Sequence, residues 1–262
     1  MAEGGSGVID ALAFLGDFGD AIEFIFKERE STSKGVMVGG LSELGGFALT
    51  HMLVSLVAMA VAIAIAVPTG LALGHKGKGE FLAISISNVG RAVPAVILLF
   101  FFVAFIGNGF RNVAFVLILL AIPPILTNAY VGARQVDREV VDAARGMGMN
   151  GMQIVRGVRL PLAMPTIFAG IRTSTVSVLA TATIGPFANL QTLGEPILSD
   201  AIYGFSGQLG GAIVVAVITL TADAGIGLAQ RAVTPMGIKL AEEPQAKRRW
   251  MSLPTRRREA AT

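Results

Sequence analysis

Apolar residues run along this chain in long blocks, not in short amphipathic periods. A helix needs about 20 mostly apolar residues to cross a bilayer. Five blocks approach or reach that length: about Phe47 to Leu73, Phe81 to Ile106, Val113 to Ala133, Thr166 to Ile184 and Leu209 to Ala229. Arg91 and Pro94 interrupt the first half of the second block, and Pro123 and Pro124 lie inside the third. Prolines are tolerated in membrane helices where neighbouring protein or water re-satisfies the freed backbone groups. The second and third helices are therefore expected to face the bundle interior. The expected fold is all-α, a polytopic membrane helix bundle of five spans.

The two ends depart from this pattern. At 100° per residue, Val8, Leu12, Phe14, Leu15, Phe18, Ile22, Ile25 and Phe26 share one face, while Asp10, Asp17, Asp20 and Glu23 share the other. This is an amphipathic helix that lies on a surface or packs against the bundle. Residues 1–46 lack the basic start and early apolar core of a secretory signal, so they are expected to be retained. Residues 47–232 form the membrane domain, and residues 233–262 form a basic tail.

Composition agrees with lipid as the solvent. The 262 residues are 53% apolar and 15% charged, against about a quarter charged in soluble domains. The absence of cysteine excludes disulfides, iron–sulfur ligation and thiolate zinc sites. His51 and His75 would stand about 36 Å apart on one helix and cannot share a metal from it. No cofactor or metal is expected.

The net charge of +3 hides an asymmetry. Lys76, Lys78, Arg134, Arg138, Arg145, Arg156, Arg159 and every basic residue from Arg231 onward fall after the first and third blocks or in the tail. Those parts are cytoplasmic by the positive-inside rule. The other connections offer only Arg111, and Glu195 with Asp200, so they lie outside. Five spans then place the N-terminus outside and the C-terminus in the cytoplasm. The tail, with Lys247, Arg248, Arg249, Arg256, Arg257 and Arg258, reads as a topology or membrane-surface feature and not a nucleic-acid arm.

The cytoplasmic connection 137–161 contains VVDAARGMGMNGMQIVRGVRLP. It resembles the loop of binding-protein-dependent importer permeases: Glu-Ala-Ala, three residues, Gly, nine residues, Ile, one residue, Leu-Pro. Asp142, Ala143 and Ala144 open it, Gly148 holds the fixed spacing, and Val158, Leu160 and Pro161 close it. Arg145 and Met147 lie within the same window. Asp142 for Glu and Val158 for Ile are conservative departures. Asp142 suits the start of a short helix. Ala143 and Ala144 admit a close surface, and Gly148 permits a turn. Ile154 and Val158 form an apolar pair toward the membrane domain, and Pro161 ends a second short helix.

The resemblance implies a type I, MetI-like importer permease fold. It also implies a separate ATP-binding cassette ATPase subunit, an external substrate-binding protein, and a second permease copy or paralogue that completes the pore. No GxxxxGKS or GxxxxGKT occurs, and GHKGKG at 74–79 has the wrong spacing for a phosphate-cradling loop. This subunit is not expected to hydrolyse ATP.

Three further stretches, ISNVGRAVPAVILLFFFVAFIGNG, TLGEPILSDAI and GAIVVAVITLTADAGIGLAQRAVTPMG, resemble the glycine betaine, choline, carnitine or proline branch of these permeases. The resemblance implies a quaternary-amine solute. Another solute such as an amino acid, or an ion-coupled transporter, is the alternative. Polar residues stranded in apolar blocks are the path candidates: Asn88, Arg91, Asn128, Arg172, Thr173, Ser177 and Asp223, with Pro94 beside them. Arg91 and Arg172 lie near block ends, where they can snorkel. Asp223 is deeper and is read equally as path or packing.

Overall fold

A computed structural model describes residues 16–77 and 93–234. Asn88, Arg91, most of the second block's first half and the basic tail lie outside the described residues. A helix, α1, covers residues 16–26 and is followed by strands β1 (Glu28–Glu30) and β2 (Met37–Gly39), which pair antiparallel. Then come α2 (Gly40–Lys76), α3 (Ala95–Ile106), α4 (Phe110–Gln135) and α5 (Arg138–Gly146). The short α6 (Gly151–Ile154) passes through a π turn (Val155–Arg159) into α7 (Leu160–Thr181). A 3₁₀ turn (Ala182–Ala188), α8 (Gly194–Leu198) and α9 (Asp200–Val233) complete the order.

Among the described residues, four helical stretches are long and apolar enough to cross a membrane: Gly40–Lys76, Phe110–Gln135, Gly151–Ala188 and Asp200–Val233. The second block appears only as the 12-residue α3. The hairpin departs from an all-α fold. Lys34 (φ 63°) and Gly35 (φ 86°) reverse the chain between its strands, a turn signal that apolar run length does not register.

The helix that carries the first block begins at Gly40, ahead of Phe47. Glycines at 39 and 40 take φ of 89° and 74°, so the chain turns from β2 straight into α2. The Glu43 carboxylate accepts the Gly39 N–H at 2.6 Å, which favours a helix start there.

Small residues set the helix spacing. A methyl group at Gly70 would sit 2.7 Å from Ala129 Cβ, and one at Gly74 would sit 2.7 Å from Ala133 Cβ. Without an aqueous hydrophobic effect between spans, such close backbone contact is a main source of association. Gly170 meets Asn128 and the Pro124 carbonyl in the same way, so α2 and α7 both pack on α4.

α4 is accordingly the central helix, with 56% of its apolar window buried. α7 also bonds to it just ahead of the proline pair, where Ser174 Oγ donates to the Ala121 carbonyl at 3.0 Å. α3 does not follow the same expectation. Phe100, Phe101 and Phe105 are exposed, and Leu99 alone is buried. Pro94 precedes α3 as its cap and breaks no internal hydrogen bond, so nothing requires that helix to be enclosed.

α1 also presents a different face from the one expected. Ala21, Phe24 and Ile25 are buried against the start of α9, while Phe18, Ile22 and Phe26 are exposed. Charge periodicity located an apolar stripe, but the groove beside Gly207 and Gly210 admits the flank that carries Phe24.

Candidate functional site

The connection between α4 and α7 folds as an elbow with its own small core. Asp137 caps α5 by accepting the Glu139 N–H at 2.9 Å. Asp142 therefore lies in mid-helix, not at a helix start, and its carboxylate takes Arg145 Nη1 at 3.1 Å. Past the end of α5 the chain turns at Gly148, whose φ of 81° lies in the left-handed region. The Gly148 and Met149 N–H groups then return to the Arg145 and Ala144 carbonyls.

Asn150 opens α6 through a reciprocal box with Gln153, at 2.8 and 3.0 Å. These two caps fix the angle between α5 and α6. Val141, Ala144 and Ile154 are buried together, with Val158 packed beside them. The Ile154–Val158 pair therefore faces α5, not the membrane domain. Ala144 is consumed by this internal contact, while Ala143 remains exposed.

Pro161 does not end the second short helix. It sits in the first turn of α7, and the preceding π turn widens the backbone where the pyrrolidine ring would meet the previous turn's carbonyl. The elbow is thus continuous with a span of 38 residues, Gly151–Ala188. Arg159, buried at the turn, donates to the Ala133 carbonyl near the end of α4. Leu160 packs toward Ala133 and Ala163. The outer surface of the elbow presents Val140, Ala143 and Met147, and Met147 is 76% exposed.

The path candidates among the described residues separate into four groups. Asn128 donates to the Pro124 carbonyl at 2.8 Å and packs on Gly170, a contact between α4 and α7. Thr173 and Ser177 return their hydroxyls to the carbonyls of Ala169 and Thr173, both at 3.0 Å, and face outward from the bundle. Arg172 and Asp223 form a two-pronged ion pair at 2.8 and 2.6 Å. α7 begins at Leu160, so Arg172 lies well inside its helix. Pro94 stands exposed at the start of α3.

Other polar residues carry structural weight that residue type alone did not flag. His51 is fully buried, and its Nε2 contacts the Leu179 carbonyl at 3.0 Å, close to where α7 tightens into the 3₁₀ turn. At the end of the bundle opposite the elbow, α9 breaks at Gly204, whose φ is 62° and ψ −178°. The hairpin covers the exposed backbone there. Thr32 N–H donates to the Ile202 carbonyl at 3.0 Å, and Arg29 donates to the Tyr203 carbonyl and Ser206 Oγ, both at 2.7 Å. Among the described residues, no group of three or more His, Cys, Asp or Glu could hold a metal.

Residues 62–235 match the family described as the binding-protein-dependent transport system inner membrane component. The glycine betaine/carnitine/choline transport system permease protein OpuCB of Bacillus subtilis (strain 168) is 34% identical over 72% of this chain and 88% of its own length. The carnitine transport permease protein OpuCB of Listeria monocytogenes is 35% identical over 74% of this chain and 89% of its own. A solved inward-facing structure of the MetNI methionine ABC transporter superposes with a TM-score of 0.66 at 20% identity. It covers 74% of this chain and 98% of that one, and so supports the same fold. The chain belongs to the inner-membrane components of binding-protein-dependent transport systems, the multi-pass permeases of ABC importers.

Proposed function

We propose that this chain is the permease of an importer for a quaternary-amine osmoprotectant, of the glycine betaine, choline, carnitine or proline class. The elbow carries the mechanical part of this reading. It is a knob that is rigid by its own caps and core, and it presents Met147, Ala143 and Val140 outward while fused to a long span. A separate ATPase that grips Asp142 to Gly148 would turn that span directly, because Val158, Leu160 and Pro161 join it to α7 without a flexible joint. ATP hydrolysis belongs to that partner.

The substrate class is supported by the relatives, which are named as glycine betaine, carnitine and choline permeases. The orientation is supported by lysine and arginine placement. Five spans, counted from the apolar blocks of the sequence, place the N-terminus outside and the C-terminus in the cytoplasm. An external binding protein delivers the solute, and a second permease copy or paralogue closes the pore. Arg172 and Asp223 mark the side of the protomer that faces this path, because a half-exposed ion pair deep in a span is poorly tolerated against lipid.

Two measurements test the reading. The tagged chain, purified from its native membrane, should bring down an ATPase subunit. Its absence rejects the importer reading. The assembled complex in proteoliposomes should accumulate radiolabelled glycine betaine, choline or carnitine. Uptake of none of them rejects the substrate class alone.

A further inference from the structure

A groove of about 550 Å³ opens between the end of α2 and the α6–α7 side of the elbow. Its floor is apolar, with Leu71 and Ala72 on one side and Val155 and Leu160 on the other. Its rim is basic: His75, Lys76 and Arg156. Lys76 and Arg156 are exposed, and neither makes an ion pair among the described residues. Among the described residues, no carboxylate lines the groove. The charges of Arg145 and Arg159 also reach His75, whose Nδ1 is shielded from water with no hydrogen-bond partner.

The groove has the shape of an amphiphile as well as its polarity. Lys76 stands one turn beyond Ala72, and the exposed flank that includes Ala72 continues down α2 through Pro68, Ile65, Val61 and Val57. At 1.5 Å per residue, Val57 to Lys76 covers about 28 Å of helix, most of the thickness of a hydrocarbon core. A small soluble anion would satisfy the rim and leave the floor uncovered. A zwitterionic lipid would bring its own cation against Lys76 and Arg156. Basic pockets between membrane helices hold acidic headgroups by this combination of charge and apolar wall.

We infer that this groove binds an anionic phospholipid, its phosphate at Lys76 and Arg156 and an acyl chain against Leu71, Ala72, Val155 and Leu160. The lipid bridges the first span and the elbow. The assignment to the inner leaflet rests on the proposed function, whereas the binding chemistry does not.

Native mass spectrometry of the full chain, titrated with phosphatidylglycerol or phosphatidylcholine of the same acyl composition, tests the inference without any ATPase or transport. The wild type should retain phosphatidylglycerol preferentially. The double substitution Lys76→Gln with Arg156→Gln should weaken that binding roughly thirtyfold, about fivefold for each basic side chain, and leave phosphatidylcholine unchanged. Equal binding of the two lipids by the wild type, or unchanged phosphatidylglycerol binding by the double variant, overturns it. Ala72→Trp fills the floor and keeps every charge. It should lose the lipid, and undiminished binding there, or displacement of the lipid by equimolar glycerol phosphate, would identify a site for a free phosphate anion and reject the lipid.

Discussion

The Arg172 guanidinium on α7 and the Asp223 carboxylate on α9 meet in a two-pronged contact, Nε and Nη2 each donating to a separate oxygen at 2.8 and 2.6 Å. α9 has no buried residue in its most apolar window, so this polar link helps to fix a helix that packing holds weakly within one protomer. The planar guanidinium suits this geometry, and a lysine could not reproduce it.

Asp223→Asn should therefore insert normally yet lower solute uptake by the assembled complex on the order of tenfold. The exchange of Arg172→Asp with Asp223→Arg should restore part of that loss. Uptake assays in proteoliposomes decide it, and wild-type uptake by Asp223→Asn would remove the pair from the path.

Gly148 tests the elbow. A side chain there meets open space, so the whole penalty is the left-handed backbone, about 1–2 kcal/mol for an ordinary residue. Gly148→Val should assemble and bind ATP but lose solute-stimulated ATP hydrolysis, while Gly148→Asn, which tolerates this conformation, should keep most of it. Equal coupling in both variants would show that the turn is not needed.

Helix spacing is tested at Gly70. Gly70→Leu forces side-chain atoms into the Leu126 carbonyl and Ala129 and should destabilise the bundle by about 1–3 kcal/mol or more. The Tm of the purified chain in detergent should fall clearly, with Gly46→Ala, which meets nothing within 4 Å, near the wild-type value.

The hairpin is tested through Arg29. Arg29→Ala removes two charge-assisted bonds to the broken start of α9, together worth about 1.5–3 kcal/mol or more. Hydrogen exchange should accelerate in residues 28–39 and around Gly204, with no change in the elbow. Unchanged exchange around Gly204 would show that the break is held by other contacts.

Run length alone located most of the membrane helices, because a spanning segment must satisfy its backbone internally and can offer lipid only apolar side chains. The same limitation explains the misplaced ends. Hydropathy registers neither the positive φ of Gly39 and Gly40 that starts α2 early nor the π turn that carries α6 past Pro161 into α7. Asp142, Ala143, Ala144 and Gly148 were picked out by resemblance to the importer-permease loop, and of the four only Gly148 has a backbone conformation, φ 81°, that favours its residue type.

Contacts between distant segments were decided by three-dimensional packing. Ala144 turned inward onto Ile154, Phe24 displaced the expected apolar face of α1, and Arg172 found Asp223 fifty-one positions away. A one-dimensional pattern records which side chains lipid will accept at each depth. It carries no register between helices, and that register is set by where glycine and alanine let two backbones touch.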